Sequence, residues 1–543
     1  MSRTDKLARS YNPPVGLLII TTCAALCGCI PALYIMYRGL SAIGNTYAPN
    51  LTLLMTLVMN TLSFGVLAAL IAGILGTLHA IIIERTDIIF PNIWRFLVCT
   101  PFVIPPYVSA LCLLALLRPH GLFEKWLVAQ GLSSYGALPF DAIFGVTGSS
   151  IVIGICLSPY VFFPVSAALR QGSGHFMEMA KQNGVPFWRR QLHITLPHLA
   201  PAIGGGMLLV LLYALADFGV PALLRLPTFS TTIYSRFAGD VDRGGAALLS
   251  LPLMAITVIL LLVQDKLFGH GVIQSARAWA PQRLVRLERF ATSTYLILGM
   301  TILLSVGTPL SMLLYWLVSP VSPAEQASFV PYGQLLFIMV QTVAYAILNA
   351  SIIVIVAFVC ARTLRRAGTL GYILSRTAQI GYALPGIVVA LSVVLVSTRL
   401  LPVAVIGVVP LGIALFIRFV PQAIQGIDVA LMQIAPTLED AGRSMGQNVY
   451  QVLRRVIVPL SSPGIQTTWA LVFLGIIKEL PATLILRPAG FDTLAVRIWM
   501  PTSDGFTAAA ALPALLLVLC AVIPFSLIFR TQSNVAETVK QPM

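Results

Sequence analysis

Residues 178–197 read EMAKQNGVPFWRRQLHITLP, and residues 440–459 read DAGRSMGQNVYQVLRRVIVP. Both stretches follow one pattern, repeated 262 residues later. An acidic residue precedes a glycine by six positions, and nine further residues separate that glycine from two alternate aliphatic residues and a proline. A spaced pattern that recurs in one chain indicates that two related segments were joined.

The repeat extends beyond these stretches in both directions. Matches at the offset of 262 residues include Asp217 with Glu479, Arg225 with Arg487 and Phe229 with Phe491. Upstream, residues 104–108 match 384–388 at an offset of 280, which extra residues in the first half near 118–142 explain. The pattern therefore predicts a first half at residues 1–269, a basic cytoplasmic linker at 270–292 and a second half at 293–543.

The composition is that of a membrane protein. Of 543 residues, 58% are hydrophobic and only 10% are charged, and the mean hydropathy is +0.90. Apolar runs of about 20 residues are long enough to cross a bilayer. We place them near 15–37, 55–83, 92–117, 143–169, 201–224, 246–268, 293–318, 337–361, 377–398, 401–427, 463–486 and 508–529. The runs are continuous rather than alternating, so we predict an all-α polytopic protein of about 12 transmembrane helices.

Lysine and arginine residues predict the orientation. Most of them fall in loops on the side of the N-terminus, which is therefore cytoplasmic, as is the C-terminus. An even number of spans in each half makes the halves parallel repeats with both motifs in the cytoplasm. The net charge of +15 is dispersed over membrane loops, which favours anionic lipid headgroups and argues against nucleic acid as a partner.

The repeated pattern resembles the cytoplasmic coupling loop of permease subunits in bacterial ATP-binding-cassette importers. This resemblance places the coupling loops at 175–197 and 437–459, and the chain in the bacterial inner membrane. It implies two copies of an ATP-binding subunit as partners, together with an extracytoplasmic substrate-binding protein.

The resemblance also assigns the residues that contact the ATP-binding subunits. We expect an acidic residue that accepts hydrogen bonds or pairs with arginine, small residues that allow close approach, a glycine turn, and a proline that ends the segment. An ordinary amphipathic cytoplasmic helix is the alternative. The expected coupling residues are Glu178, Ala180, Gly184, Ile194, Leu196 and Pro197 in the first loop, and Asp440, Ala441, Gly442, Gly446, Val456 and Pro459 in the second.

The sequence shows no signature of a catalytic, nucleotide-binding or metal-binding site. No lysine follows a glycine, so the phosphate-binding G-K-[ST] signature is absent and ATP, with its magnesium, is expected on a separate subunit. The histidines are scattered without metal-ligand spacing. We therefore expect no catalytic residue, no resident cofactor and no metal site.

Two acidic residues in apolar spans are candidates for the transport path. Asp217 and Glu479 each lie 20 residues after the motif proline, which predicts a position near the outer mouth. They would line a gate or guide a cationic solute, or else form structural salt bridges. The candidate partners for such bridges are Lys478, Arg225 and Arg487. Arg418 is expected to be a helix-end or bundle partner rather than a substrate ligand.

Loop sequences point to the cargo. Residues 478–483, 491–497 and 217–221 are similar to those of fused permeases in ferric-iron importers. Importers of thiamine, polyamines or 2-aminoethylphosphonate share the same plan and stay open as alternatives. An ion-driven secondary transporter would also have twelve spans, but it has no need for paired coupling loops. Segments 225–231 and 487–493 are expected outside, where a binding protein docks.

Overall fold

The structure is a computed structural model that describes most of the chain. The described residues are 15–43, 50–118, 121–131, 143–171, 179–180, 182–240, 242–268, 286–287, 290–366, 368–400 and 407–538. Within these ranges the secondary structure is helical and contains no strand, as predicted. Glu178, most of the predicted linker and much of the loop near 118–142 lie outside the described residues.

The helices of the first half begin at Val15. They are α1 (Val15–Ser41), α2 (Leu51–Arg85), α3 (Pro91–Cys99), α4 (Pro106–Leu117), α5 (Leu122–Ala129), α6 (Gly145–Cys156), α7 (Pro159–Gln171), α8 (Phe187–Arg190), α9 (Leu196–Ala216), α10 (Gly219–Leu223), α11 (Phe229–Tyr234) and α12 (Arg243–Phe268).

The helices of the second half begin at Ala291. They are α13 (Ala291–Ile302), α14 (Thr308–Val318), α15 (Pro323–Ala327), α16 (Tyr332–Arg366), α17 (Gly368–Ala378), α18 (Gly386–Leu400), α19 (Val409–Met432), α20 (Pro436–Ser444), α21 (Val449–Val452), α22 (Val458–Ile477), α23 (Pro481–Leu486), α24 (Leu494–Ser503) and α25 (Ala511–Thr538).

Ten helical segments of the described chain are long and apolar enough to cross a membrane. An eleventh span forms if α6 and α7, which meet at a 42° bend, cross together. The predicted span at 377–398 is divided, because α17 ends at Ala378 and the apolar part of α18 covers only Gly386–Ser397. The expected number of about 12 is reached only if this divided segment also crosses.

Breaks in the helices occur at matching places in the two halves. A 3₁₀ turn at Thr100–Phe102 precedes α4, and another at Ile380–Ala383 precedes α18. In each case a proline follows the turn, and its missing N–H and fixed φ interrupt the helix. A second pair of breaks separates α9 from α10 and α22 from α23. Interrupted spans at corresponding positions are a feature of transporter halves that enclose a transport path.

The packing of the two halves is interleaved. Helix α2 packs on α6, α7 and α9, and its counterpart α16 packs on α17, α19 and α22. Helix α1, however, packs on α16, α17 and α18 of the other half, where the Thr21 hydroxyl donates to Thr363 Oγ1 at 3.0 Å. In return, α13 and α14 pack on α3 and α4. The first span of each half therefore packs on the other half as well as on its own, where α1 packs on α12 and α14 packs on α25.

One prediction concerns the close approach of α9 to α7. A Cβ atom at Gly206 would lie 2.8 Å from the Tyr160 carbonyl oxygen and from Val161 Cα, whereas a Cβ at neighbouring Gly205 would meet nothing within 4 Å. We expect Gly206→Ala to destabilise the protein by about 1–3 kcal/mol through overpacking. Gly205→Ala should be neutral or slightly stabilising. Thermal unfolding of the two variants in detergent tests this, and equal midpoints would contradict the packing.

Candidate functional site

The second coupling segment is a short helix followed by a glycine turn. Helix α20 ends where Gly446 adopts φ 80°, a left-handed conformation that glycine accepts without strain. The Gln447 N–H then donates to the Gly442 carbonyl at 3.2 Å. Asn448 caps α21 by accepting from the Gln451 N–H at 2.8 Å, and Gln451 Oε1 accepts from the Asn448 N–H at 3.0 Å. The turn is therefore fixed from both sides.

The described part of the first coupling segment makes the same turn. Gly184 has φ 70°, and the Val185 N–H donates to the Ala180 carbonyl at 3.0 Å. Helix α8, a π-helical turn at Gln191–Thr195 and α9 follow without interruption. The two matched glycines thus have one conformational role.

The prolines of the motif do not end the segment, contrary to our expectation. Pro197 and Pro459 are the second residues of α9 and α22. Each is preceded by a π-helical turn, Gln191–Thr195 or Leu453–Ile457, which carries the helix past the proline. The second segment thereby continues from Val449 to Ile477 as one helical span of 29 residues. The expected helix starts at Pro201 and Pro463 are wrong for the same reason, since both prolines lie inside these helices.

Helix α20 presents one face outward and one inward. Leu438, Met445 and nearby Tyr450 are exposed apolar side chains, with 46%, 72% and 67% of their surface accessible. Asp440 and Ala441 are also exposed, while Glu439 and Gly442 are buried. The coupling segment therefore offers an apolar surface with an acidic edge.

Two expected roles in α20 need correction. A Cβ at Gly442 would lie 3.1 Å from the Val452 side chain, so this small residue serves packing within the segment rather than the approach of a partner. The acidic residue that pairs with arginine is Glu439, bonded to Arg362 at 3.2 Å, and not its exposed neighbour Asp440. Helix rotation of about 100° per residue separates the two acids.

The other expected coupling residues differ in exposure. Ala180, Ile194 and Val456 are half-buried, and Gly184, Leu196, Pro197, Gly446 and Pro459 are exposed.

The two candidate pathway acids lie at the helix breaks and cap the helices that follow. Asp217 Oδ2 accepts from the Val220 N–H at 2.9 Å, and Glu479 Oε1 accepts from the Ala482 N–H at 3.4 Å. Both contacts run to the residue three positions ahead, the geometry of an N-terminal cap. The symmetry predicted for the two acids is therefore present in their hydrogen bonds.

Glu479 has an ion-pair partner from another helix. Arg418 Nε lies 3.0 Å from Glu479 Oε2, and the glutamate side chain is only 4% exposed. Gly386 makes room for this pair, because a Cβ there would lie 3.0 Å from Glu479 Oε1 and still closer to the guanidinium. Arg418 thus acts as the bundle partner that was expected.

The partners expected for these acids are engaged elsewhere. Lys478 Nζ donates to the Phe102 carbonyl at 2.7 Å and lies 4.4 Å from the centre of the Phe102 ring. Arg487 pairs with Asp492, which also pairs with Arg497. Arg225 lies over the Phe144 ring. Because Phe102 belongs to the first half, the lysine links the two halves directly.

A small cavity of about 30 Å³ lies between the halves and is lined by both acids together with Arg418 and Lys478. Such a volume holds a water molecule or two. The first half lines it with Tyr107, Tyr213, Ala216, Asp217 and Gly219, and the second half with Arg418, Lys478, Glu479, Leu480 and Pro481.

Arg418 marks the position of the cavity along α19. Arg418 is the tenth of 24 residues in α19, about 14 Å from one end and about 21 Å from the other at 1.5 Å per residue. The expected position of Asp217 and Glu479 near the outer mouth stays a prediction.

The two halves contribute unequal charge to the cavity. At the offset of 262 residues, Arg418 and Lys478 correspond to Cys156 and Ala216. Both cations therefore come from the second half, while each half supplies one acid. Sequence reasoning missed the role of Lys478, although a lysine within an apolar segment was a signal for it.

Comparison with known proteins gives the family. Residues 76–268 and 353–533 each match the binding-protein-dependent transport system inner membrane component family. The chain belongs to this family. It is a multi-pass inner-membrane permease with two copies of the family domain, and it is a transport component rather than an enzyme. Membership of this family argues against the alternative that the protein is an ion-driven secondary transporter.

Curated relatives of this permease transport different solutes. It is 28% identical over 534 residues to an Fe(3+)-transport system permease protein of Haemophilus influenzae, covering 95% of this chain and 98% of the relative. It is 24% identical over 224 residues to a sulfate transport system permease protein of Escherichia coli, and 26% identical over 223 residues to a spermidine/putrescine transport system permease protein of Haemophilus influenzae. These two alignments cover 39% and 40% of this chain.

A second prediction concerns the buried ion pair. Glu479→Gln leaves the Arg418 guanidinium without its counter-charge, which should destabilise the permease by about 3–5 kcal/mol. Asp217→Asn is the matched control, because it keeps an oxygen that can cap α10 and no ion pair of Asp217 is found among the described residues. Thermal unfolding in detergent should show a clearly larger loss for Glu479→Gln. Equal losses would contradict the assigned importance of the ion pair.

Proposed function

We propose that this permease forms the translocation path of an ATP-driven importer of ferric iron. The observation that supports this cargo is the whole-chain similarity to the Fe(3+)-transport permease, in which both halves align. The sulfate and spermidine/putrescine relatives align with less than half of the chain. Thiamine, polyamines and 2-aminoethylphosphonate are the competing cargoes.

The proposed partners follow from the two coupling segments. Each segment docks on one copy of an ATP-binding subunit, which binds ATP and magnesium, so this chain needs no cofactor of its own. The exposed Leu438, Met445 and Tyr450 suit such a contact, since interface centres favour apolar and aromatic side chains. A substrate-binding protein docks on the opposite, extracytoplasmic face, and both termini are cytoplasmic. Anionic lipid surrounds the basic cytoplasmic loops.

The proposed motion uses the continuous helix of the second half. Helical structure from Val449 to Ile477 spans about 43 Å at 1.5 Å per residue and ends beside Lys478 and Glu479. Closure of the ATP-binding subunits would displace the coupling segment and hence the far end of this helix. Such a displacement breaks the hydrogen bond from Lys478 to Phe102 and opens the cavity between the halves.

In this scheme the central cavity is the closed constriction of the path. Asp217 and Glu479 face it from opposite halves, and Arg418 neutralises one of them. Desolvation of a passing ion is costly unless fixed charges compensate. We assign the two acids to the path as well as to helix capping.

A third prediction tests the coupling turn. Gly446→Val forces a β-branched residue into a left-handed conformation, which costs about 1–2 kcal/mol or more and displaces α20. We expect at least a tenfold loss of ATP-dependent uptake in proteoliposomes that contain the complete complex, and a similar loss for Gly184→Val. Gly333→Val is the control, because Gly333 lies in α16 without a positive φ and a Cβ there likewise meets nothing within 4 Å. Full uptake by both turn variants would refute the coupling assignment.

A fourth prediction tests the cargo. Proteoliposomes with binding protein and ATP should accumulate labelled ferric iron, and an excess of unlabelled thiamine, spermidine, 2-aminoethylphosphonate or sulfate should not reduce this uptake. ATP-dependent accumulation of one of the other solutes, without ferric iron, would replace the proposed cargo and leave the coupling assignment intact.

A further inference from the structure

Two arginines near the C-terminal end of α16 bind acidic residues on both sides of the turn between α19 and α20. Arg365 Nε lies 2.7 Å from Asp428 Oδ1, and its Nη2 donates to the Asp428 carbonyl at 3.1 Å. Arg362 donates from Nη1 and Nη2 to the two oxygens of Glu439 at 3.3 and 3.2 Å. Asp428 lies in the last turns of α19, and Glu439 lies in the first turn of α20. The two bonded acids therefore flank the turn.

The link from Arg362 to Glu439 is the better protected of the two. Their side chains are 11% and 9% exposed, whereas those of Arg365 and Asp428 are 31% and 18% exposed. A two-pronged pair that is shielded from water is stronger and more directional than an exposed one. Because Glu439 is buried against the bundle, it is unsuited to a contact with another subunit.

The first half lacks the residues for this link. Aligned end to end, the 35-residue helices α2 and α16 match Arg362 with Ile81, and the offset of 280 found at residues 104–108 matches it with Ile82, so the counterpart is an isoleucine in either case. At the offset of 262 residues, Glu439 matches Met177. Two apolar side chains cannot form an ion pair, so the ion pair of Arg362 with Glu439 has no equivalent at the matched positions of the first half.

The neighbouring link is present in both halves but with changed chemistry. In the end-to-end alignment of α2 and α16, Arg365 matches Glu84, and at the offset of 262 residues Asp428 matches Ser166. The Ser166 hydroxyl donates to Glu84 Oε1 at 2.6 Å. Glu84 also pairs with Arg170 and Arg95. The first half therefore has a contact between α2 and α7 where the second half has one between α16 and α19. The contact from Arg362 to Glu439 of α20 occurs in the second half alone among these matched pairs.

We propose that Glu439 is a positioning residue that, through Arg362, fixes the second coupling helix to α16. A displacement of α20 then moves α16 together with the helices packed on it, α19 and α22, which carry Arg418 and lead into Lys478 and Glu479. The matched residues of the first half, Ile81 and Met177, cannot form this ion pair, so the two coupling segments are expected to displace the two halves unequally. This proposal rests on the proposed function, because it assumes that ATP-binding subunits displace α20.

The test combines a structural readout with a functional one. In Glu439→Gln, backbone hydrogen exchange across residues 436–444 of the purified complex should become about tenfold faster, while exchange in the first coupling segment stays unchanged. In proteoliposomes, the number of ATP molecules hydrolysed per ferric ion imported should rise about tenfold, equivalent to about 1.4 kcal/mol of lost coupling. Asp504→Asn, which changes an exposed acid remote from α20, is the control for charge removal.

Two further variants separate positioning from simple folding. Arg362→Met combined with Glu439→Gln should cost little more than either change alone, because the two residues act as a unit. The exchanged pair Arg362→Glu with Glu439→Arg should restore much of the slow exchange and of the ATP-to-iron ratio.

The outcomes are distinct. Unchanged exchange in Glu439→Gln, or faster exchange with an unchanged ratio, would overturn the proposal. Additive losses in the double variant would also overturn it. If wild-type complex imports no ferric iron, the cargo assignment fails, and the exchange measurement still decides whether Glu439 fixes α20.

Discussion

Breaks in membrane helices expose backbone N–H groups that lipid cannot satisfy, and this constraint organises the centre of the permease. Asp217 and Glu479 meet it by capping the helices that follow two of the breaks. A carboxylate placed there for capping is itself costly to bury. Arg418 offsets that cost for Glu479, and the small Gly386 leaves space for the guanidinium. Charge in the middle of the bundle thus follows from the interruption of the helices.

Joining two related halves in one chain allows each half to change separately. The capping acids and the coupling glycines are kept in both halves, because backbone geometry demands them. The cations of the cavity, Arg418 and Lys478, occur in the second half alone at these matched positions, as does the link between Arg362 and Glu439. A transporter assembled from two identical subunits could not distribute charge in this way.

Features with a local cause were predictable from the sequence. Apolar runs predicted the membrane spans, and glycines six residues after an acidic residue predicted the turns. An arginine within an apolar run predicted a side chain that pairs inside the helix bundle. The paths of Pro197 and Pro459 were not predictable, because a π-helical turn upstream lets the helix continue past each proline. The choice of Glu439 over Asp440 depends on the rotation of α20 about its axis, which a nine-residue helix leaves open.

The interleaved packing also bears on biosynthesis. Helix α1 is synthesised before the second half, and the residue that accepts its Thr21 hydrogen bond is 342 positions further along. Contacts of such long sequence separation form late, since the intervening chain must be made before they can close. Part of the surface of α1 therefore stays uncovered in the bilayer until α16 to α18 are inserted. Cutting the chain between its halves would leave each fragment without the partner that completes its own first span.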